Sequence, residues 1–206
     1  MKYKKYFRKT SLKQPGIGKL FLEEIQKKNP KTFLEIGVFH GVTARNICEL
    51  LHKNHQNDFE YVGVDVFDED KKYIKEGVPV YSFNNPLKKF YFKYIKKQNP
   101  YSLNAVNDLL TKFKKNVKII KGNSNEVLKT LINKKFDYIF IDGGHAYETV
   151  SNDLLLSKNI LSKGGTIMCD DYNLWHLGAK KAIDDFIKQQ NCNYSVISER
   201  FVRIEF

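Results

Sequence analysis

The sequence is poor in cysteine and has no long apolar run, which argues against a disulfide-rich protein and against a membrane-spanning one. Its three cysteines, Cys48, Cys169 and Cys192, show no CxxC spacing, which is unlike a disulfide framework or a zinc site. We therefore expect a reducing, cytoplasmic environment and cysteines that act as small packing residues. No stretch of about 18 apolar residues occurs, so no transmembrane helix is expected. The basic N-terminus lacks the apolar run of a secretory signal.

Acidic residues are scarce in two segments, and the positive charge concentrates there. The 206-residue chain has a net charge of +12. Residues 1–30 and residues 71–100 each contribute +7, whereas the remainder sums to −2. Such segments attract phosphate, sulfate, nucleic acid or an anionic membrane. A solvated surface in a lysine-rich chain explains them equally well.

Apolar runs and amphipathic segments alternate along most of the chain. Five runs predict buried strands: 32–36, 59–65, 117–121, 136–142 and 166–171. Helical periodicity marks 16–28, 42–51, 103–113, 124–132, 145–161 and 179–189. Two last runs, 194–198 and 201–206, lie so close together that they predict an antiparallel hairpin. The pattern predicts one α/β domain over residues 1–206, with a doubly wound, mostly parallel sheet, one antiparallel strand and helices on both faces.

Two segments fall outside this alternation. Residues 1–13 are predicted to form a flexible basic arm before the first helix. Residues 67–100 are predicted to be an insertion, either a lid or a substrate-binding segment, over the carboxyl edge of the sheet. Within it, Asn85-Pro86 predicts the start of a helix that packs on the domain through its apolar positions: 87, 90, 91, 94 and 95. A basic amphipathic helix of this kind also suits a membrane surface.

Carboxylates gather where two predicted strands end. The stretch FDYIFIDGGHAYETVSNDLLLSKNILSKGGTIMCDDY is typical of a strand, a helix and a second strand. Asp142 follows the first strand, and Asp170 and Asp171 follow the second. In such a unit the strands run parallel, about 4.8 Å apart if they are neighbours, so the three acids converge on the carboxyl edge. Because carboxylates this close repel one another, the pattern predicts a hard cation such as Mg²⁺, with Mn²⁺ or Ca²⁺ as alternatives.

A glycine-containing turn follows the first predicted strand. It has the form E-x-G-x-x-x-G, with Glu35, Gly37 and Gly41. Glycine lets the backbone approach a ligand, and a helix start offers free N–H groups to an anion. The turn is neither the G-x-G-x-x-G fingerprint nor a Walker sequence. Asp65, at the end of the second strand, is placed to accept the two hydroxyls of a ribose, although such an acid alone is more often a helix cap.

Together these motifs resemble class I S-adenosylmethionine-dependent methyltransferases over residues 32–206. The D-G-x-H-x-Y and D-D-Y elements, in IDGGHAYETVSNDL and GGTIMCDDY, are similar to the macrocin-type sugar O-methyltransferases and their cephalosporin-hydroxylase-like relatives. The resemblance implies a Rossmann-like sheet with strand order 3-2-1-4-5-7-6. No pattern of the family matches residues 67–100, so the acceptor is left open.

The resemblance also implies a role for each site residue. The cofactor would be bordered by Glu35, Gly37 and Gly41 at its methionine part, by Asp65 at the ribose, by Asn123 and Ser124 at the adenine, and by Asp142. The divalent cation would be held by Asp142, Asp170 and Asp171. His145 matches the general base of the sugar-modifying enzymes, with Asp142 beside it in the catalytic centre.

The chemistry of the residues agrees with these roles. A hydroxyl is a poor nucleophile until a cation lowers its pKa and orients it, and His145 can accept its proton. We therefore predict an enzyme, a metal-dependent O-methyltransferase acting on a small molecule. A sugar or glycoconjugate acceptor is favoured, with an anionic handle such as a nucleotide-sugar diphosphate bound by the basic segments.

Other interpretations stay open at this point. An RNA methyltransferase or RNA-binding protein would use the basic aromatic segments to bind nucleic acid. Asp142 could merely cap a helix, Asp170 and Asp171 could form an acidic turn, and His145 could be a packing histidine. Trp175 and His176 could line the acceptor pocket, or Trp175 could cover the core. The sequence does not decide whether the chain forms a homo-oligomer.

Overall fold

In the described part of the chain, seven strands form one sheet in the order β3-β2-β1-β4-β5-β7-β6. The computed structural model describes residues 1–2, 8–67, 85–173 and 175–206. The strands are β1 (Thr32–Ile36), β2 (Glu60–Asp65), β3 (Val117–Lys121), β4 (Phe136–Ile141), β5 (Leu161–Cys169), β6 (Asn193–Ile197) and β7 (Phe201–Glu205). β7 runs antiparallel to β5 and β6, and the other pairs are parallel. The predicted fold class and strand order are confirmed.

The helices match the predicted segments, with differences mainly at their ends. They are α1 (Ile17–Lys28), α2 (Val42–His55), α3 (Pro86–Phe90), α4 (Leu103–Leu109), α5 (Ser124–Thr130), α6 (Tyr147–Ile160) and α7 (Leu177–Gln189). A π turn, Tyr91–Lys96, continues α3, and short 3-10 turns occur at Ser11–Lys13 and Thr111–Phe113. Among the described residues, no helix is long and apolar enough to cross a membrane.

Two apolar layers cover the two faces of the sheet. Successive side chains of a strand point to opposite faces, so Phe33 of β1 belongs to one cluster and Leu34 to the other. Helices α1, α2 and α4 contribute to the first layer, and α5, α6 and α7 to the second. Burial on both faces explains why the central strands have almost continuous apolar sequences.

The N-terminal segment packs against the domain where it is described. Leu12 is fully buried, and the Thr10 and Thr43 hydroxyls lie 3.0 Å apart. The guanidinium of Arg8 donates to the carbonyls of His40 and Ala105, at 2.8 and 2.7 Å. The prediction of a flexible arm is therefore wrong for residues 8–13, and residues 3–7 lie outside the described part. Leu12, an apolar residue within this basic segment, was the sequence feature that could have predicted this packing.

The predicted insertion is described only in part, since residues 68–84 lie outside the described residues. The Asn85 side chain caps α3 by accepting a hydrogen bond from the Lys88 amide, as predicted. The predicted inward stripe, however, is wrong: its positions Leu87, Phe90, Tyr94 and Ile95 are exposed, whereas Phe92 is buried. The π turn accounts for Tyr94 and Ile95, because its wider spacing changes which residues share a face, whereas Leu87 and Phe90 lie in the α-helical turn before it, which has no buried residue.

The ends of β1, β4 and β5 lie side by side and position the site. Ile36 pairs with Ile141, and Ile141 pairs with Cys169. The Asp142 amide donates to the Ile36 carbonyl at 2.8 Å, and the Asp170 amide donates to the Ile141 carbonyl at 2.9 Å. The glycine turn after β1 and the acids after β4 and β5 therefore share the carboxyl edge.

Candidate active site

A cavity of about 440 Å³ opens at the carboxyl edge of the sheet. This volume is in the range of small-molecule sites. Seven of the predicted site residues line it: Gly37, Asp65, Asn123, Ser124, Asp142, His145 and Asp171. Lys9, Thr10 and Ser11 of the N-terminal segment line it as well, which the sequence did not predict. Of the predicted site residues that the structure describes, Glu35, Gly41 and Asp170 lie outside the lining.

Gly37 is required by the close approach of two loops. Its φ is +94°, and a Cβ at this position would lie 2.0 Å from the Asp142 carbonyl oxygen. A side chain there would therefore collide with the backbone that carries the first acid. Gly41 directly precedes α2 as its N-cap residue, with a φ of +71°, and a Cβ there would contact Val106 of α4.

Glu35 is fully buried within β1 and has an unusual protonation state. The Tyr61 hydroxyl donates to one of its oxygens, and the other oxygen has no hydrogen-bond partner among the residues that the structure describes. Burial raises the pKa of Glu35 to about 8, against the opposing effect of the Tyr61 hydrogen bond. Glu35 is thus mostly protonated at neutral pH and offers one unpartnered polar atom in the strand that leads to the glycine turn.

Asp65 is held by donors that belong to the fold. Its carboxylate accepts hydrogen bonds from the amides of Phe39 and Phe67, at 2.7 and 2.9 Å, and from the Tyr101 hydroxyl at 2.8 Å. Burial nevertheless raises its pKa above the ordinary value. Sequence reasoning missed Tyr101, because nothing in the sequence connects it with the end of β2. Asn123 caps α5 by accepting a hydrogen bond from the Asn125 amide, at 2.9 Å.

The three predicted acids converge, and a backbone feature explains how. Carboxylate oxygens of Asp142, Asp170 and Asp171 all lie within 4.8 Å of one another. In a continuing strand, consecutive side chains would point to opposite faces. Asp171 instead has a φ of +60°, in the left-handed region that aspartate tolerates better than most residues. This turn breaks the alternation, so both acids of the D-D-Y element can reach the same site.

Two partners of these acids were missed by sequence reasoning. Nε and Nη2 of Arg200, in the turn between β6 and β7, donate to the two oxygens of Asp170, at 2.6 and 2.5 Å. The Ser11 hydroxyl donates to Asp142 at 3.1 Å. Burial and the nearby charges of Asp170 and Asp171 raise the pKa of Asp142 well above its usual range. The predicted strand order places β7 beside β5, and this was the one feature that could have predicted that Arg200 lies near Asp170.

His145 forms a pair with Asp171. Its Nε2 lies 2.7 Å from Oδ2 of Asp171, and this hydrogen bond raises the pKa of the histidine. Burial alone would raise the pKa of Asp171, but the contact with His145 lowers it. His176 lines the cavity and stacks on His145 with ring centroids 4.1 Å apart. Trp175 is 90% exposed and therefore does not cover the core.

Comparison with known families identifies the class of domain. The family described as a methyltransferase domain matches residues 34–172, which run from β1 to the D-D-Y element. The chain belongs to this methyltransferase domain family. No curated protein sequence matches the chain at a significant level.

Solved structures of O-methyltransferases share the fold of this methyltransferase. The O-methyltransferase of Bacillus cereus, in complex with SAH, has a TM-score of 0.61 and 13% identity, covering 95% of this chain and 83% of its own. CalS11, a TDP-rhamnose 3'-O-methyltransferase, has a TM-score of 0.64 and 15% identity, covering 95% and 81%. TomG of Streptomyces achromogenes, in complex with SAM, has a TM-score of 0.62 and 13% identity, covering 98% and 85%. At such identities the likeness establishes the fold alone.

The acid cluster of this methyltransferase suits a divalent cation chemically. Three carboxylates offer oxygen donors only, which is the preference of Mg²⁺, Mn²⁺ and Ca²⁺. The guanidinium of Arg200 supplies one positive charge beside three acids. Each carboxylate oxygen has two lone pairs, so Asp170 can keep Arg200 as an outer partner while it binds a metal, as ligating carboxylates commonly do.

Proposed function

We propose that this methyltransferase transfers the methyl group of S-adenosylmethionine to a hydroxyl group of a small molecule. The observation that carries the proposal is that Gly37, Asp65 and two acids of the cluster, Asp142 and Asp171, line one cavity. The similar structures from Bacillus cereus and Streptomyces achromogenes contain SAH and SAM, which supports the choice of cofactor.

The cofactor would lie along the lining from Gly37 to Ser124. The backbone at Gly37 would border its methionine part, and Asn123 and Ser124 its adenine. Asp65 would accept a ribose hydroxyl through Oδ2, which accepts the Phe39 amide and can take one more hydrogen bond, whereas Oδ1 already accepts the Phe67 amide and the Tyr101 hydroxyl. Glu35 and Gly41 do not line the cavity. Glu35 would contribute to the cofactor site through its unpartnered oxygen, and Gly41 would set the backbone conformation of the glycine turn.

In the methyl transfer, the acceptor oxygen attacks the methyl carbon of the sulfonium in line. The new C–O bond forms as the C–S bond breaks, which leaves S-adenosylhomocysteine, and the hydroxyl proton passes to His145. Asp171 holds the ring through Nε2 and stabilises the imidazolium that forms. Ser11 and Arg200 keep Asp142 and Asp170 in place beside it.

A divalent cation held by Asp142, Asp170 and Asp171 would lower the pKa of the acceptor hydroxyl and orient it. Magnesium is our first choice, with Mn²⁺ and Ca²⁺ as alternatives. Asp142 also borders the cavity and lies next to Gly37, so it would connect the metal site with the cofactor.

We favour a sugar or glycoconjugate acceptor with an anionic group such as a nucleotide diphosphate. Lys9 lines the cavity, and Lys88 lies close enough to it for the two charges to interact. Both would attract an anion at the cavity mouth. The similar protein CalS11 acts on TDP-rhamnose, which agrees with this acceptor class.

The test is methyl transfer from radiolabelled S-adenosylmethionine to a panel of nucleotide sugars, glycosides and catechols, with Mg²⁺ and with a chelator. We expect label in a hydroxylated acceptor, and a loss of about 100-fold or more when the metal is chelated. Asp170→Asn should lose activity similarly, whereas Asp58→Asn, a control at an exposed acid of the surface, should not.

Two results would contradict parts of this proposal. Undiminished transfer in chelator would exclude the metal role while leaving the methyltransferase activity intact. Transfer to RNA with none to small molecules would exclude the acceptor class and favour the nucleic-acid alternative.

A further inference from the structure

The described segment 85–98 carries a cluster of large apolar side chains on its surface. Leu87, Phe90, Tyr94 and Ile95 are 74%, 56%, 57% and 61% exposed. Single exposed apolar residues are ordinary on protein surfaces, but four within one short segment form a patch of the kind that marks an interaction site. The rings of Phe90 and Tyr94 lie 5.2 Å apart, so the patch is continuous there.

The segment is held to the domain by its other residues. Phe92 is buried, and its carbonyl accepts a hydrogen bond from the Gln98 amide at 3.1 Å. The Gln98 side chain donates to Asp108 of α4 at 3.0 Å. The apolar patch is therefore the outer face of an attached element.

The charge of this segment indicates the kind of surface that covers it. Residues 85–98 include five lysines and no acidic residue: Lys88, Lys89, Lys93, Lys96 and Lys97. Lys93 places its ammonium group 5.3 Å from the centre of the Tyr94 ring. Like charges oppose pairing of this face with the same face of a second copy, whereas an anionic partner is attracted.

The apolar residues distinguish between two anionic partners. A single-stranded nucleic acid needs aromatic platforms on which its bases stack, and Leu87 and Ile95 cannot serve as such platforms. A lipid surface accommodates aliphatic and aromatic side chains alike at the headgroup boundary, with lysines reaching the phosphates. The mixture of the four apolar side chains with lysines is therefore better matched to lipid.

The position of the segment places it near the cavity. Partial burial and the nearby charge of Lys9 lower the pKa of Lys88. Lys9 also lines the cavity. A surface bound to residues 85–98 would thus lie beside the cavity opening.

We propose that residues 85–98 dock this protein on an anionic phospholipid surface, with Leu87, Phe90, Tyr94 and Ile95 inserted at the headgroup level and Lys89, Lys93, Lys96 and Lys97 on the phosphates. The docking is independent of the reaction proposed above, because none of these side chains is assigned to the cofactor, the acids or the acceptor.

The test is co-sedimentation of the full chain with vesicles of phosphatidylcholine alone or mixed with phosphatidylglycerol. We expect binding to the anionic vesicles to exceed that to the neutral ones by about tenfold or more, and to weaken with salt. The variant Leu87→Asp/Phe90→Asp/Ile95→Asp should lower anionic binding by about tenfold or more. A second variant, Lys89→Ala/Lys93→Ala/Lys96→Ala, should lower it while keeping the apolar patch.

A matched control is Ile132→Asp/Leu155→Asp, since these residues are 49% and 47% exposed elsewhere on the surface. It should bind vesicles like the parent, and circular dichroism should show that all variants are folded. Equal binding to both kinds of vesicle, or an equal loss in the control, would overturn the proposal. So would an apolar-patch variant that turns a dimer into a monomer while the parent ignores vesicles, or a parent that binds only RNA.

Discussion

The two halves of the carboxyl edge hold their carboxylates in different ways. On the β2 side, Asp65 accepts hydrogen bonds from two backbone amides and from a buried tyrosine. On the β4–β5 side, Asp142, Asp170 and Asp171 crowd together and take most of their partners from side chains. These partners come from the N-terminal segment, the loop before α6 and the hairpin turn.

Under the proposed function, this difference would separate binding from chemistry. Amides fixed by the fold would need no rearrangement when a neutral ribose arrives, so the β2 side would be preorganised to hold a ligand. On the β4–β5 side, the side-chain partners of the acids would exchange for a cation or an acceptor hydroxyl. We expect substitutions on the first side to change cofactor affinity, and substitutions on the second to change turnover.

We expect the largest effect from a substitution at Gly37, where the β2 side and the β4–β5 side of the carboxyl edge meet. Gly37→Ala would put a Cβ 2.0 Å from the Asp142 carbonyl oxygen in a backbone with φ +94°. We expect a loss of about 3 kcal/mol or more in the free energy of unfolding, together with a fall of about 100-fold or more in affinity for S-adenosylhomocysteine. Denaturant unfolding and calorimetry measure the two effects.

Gly164→Ala is the matched control for this prediction. Gly164 also has a positive φ, +75°, but a Cβ there would meet no atom of the described residues within 4 Å. It should lose only about 1 kcal/mol from backbone strain and keep its cofactor affinity. Equal losses in the two variants would show that strain, and not the contact with Asp142, makes Gly37 necessary.

A substitution on the β4–β5 side should separate turnover from cofactor affinity. Asp171→Asn removes the charge that holds His145. We expect turnover to fall by about 100-fold or more and the affinity for S-adenosylhomocysteine to change by less than about threefold. If calorimetry showed that the affinity falls as much as turnover does, the two halves would not have separate roles in binding and chemistry.

Asp153 of α6 sharpens the comparison, because its carboxylate is buried without well-formed hydrogen bonds. It is fully buried, and among the described residues neither of its oxygens has a hydrogen-bond partner of good geometry. Burial raises its pKa to about 7, against a weaker effect of Ser124. In the unfolded chain its pKa is about 3.9. Between these values the unfolded state releases a proton that the folded state keeps, so this group costs stability as the pH rises from about 4 to 7.

Asp153→Asn removes this dependence. Relative to the parent, the variant should gain stability progressively over that pH range, by roughly 2–4 kcal/mol at neutral pH. Urea unfolding of both proteins at about pH 4.5 and pH 7.5 gives the difference directly. A difference that does not change with pH would contradict the assigned pKa.

The smallest expected effect concerns Tyr101. Tyr101→Phe removes one hydrogen bond from Asp65 and leaves its backbone donors. We expect a loss of about 1 kcal/mol in stability and at most a threefold change, roughly, in cofactor affinity. Tyr147→Phe is the control, because its hydroxyl bonds Asp185 outside the cavity. A large fall in affinity for Tyr101→Phe alone would show that the fixed donors do not suffice.

The acids at the strand ends could be predicted from the sequence, whereas most of the residues that hydrogen-bond to them could not. Asp65, Asp142 and Asp170 directly follow apolar runs, and parallel strands bring such positions to one edge. Ser11 and Arg200 reach the same edge from the two ends of the chain, with no local pattern that points there. The left-handed turn at Asp171 depends on packing around it, which a periodicity does not reveal.

The exposed apolar face of residues 85–98 could not be predicted from the sequence for a related reason. Helical spacing predicted an inward stripe, but the π turn at Tyr91–Lys96 buries Phe92 in its place. A change from one helical spacing to another leaves no mark in the hydrophobic pattern.

The most direct test of the central claim is calorimetric titration of S-adenosylhomocysteine into the parent protein and into Asp171→Asn. We predict one binding site in the parent, with a similar affinity in the variant that has lost turnover. The absence of binding to the folded parent at high micromolar ligand would contradict the proposed function.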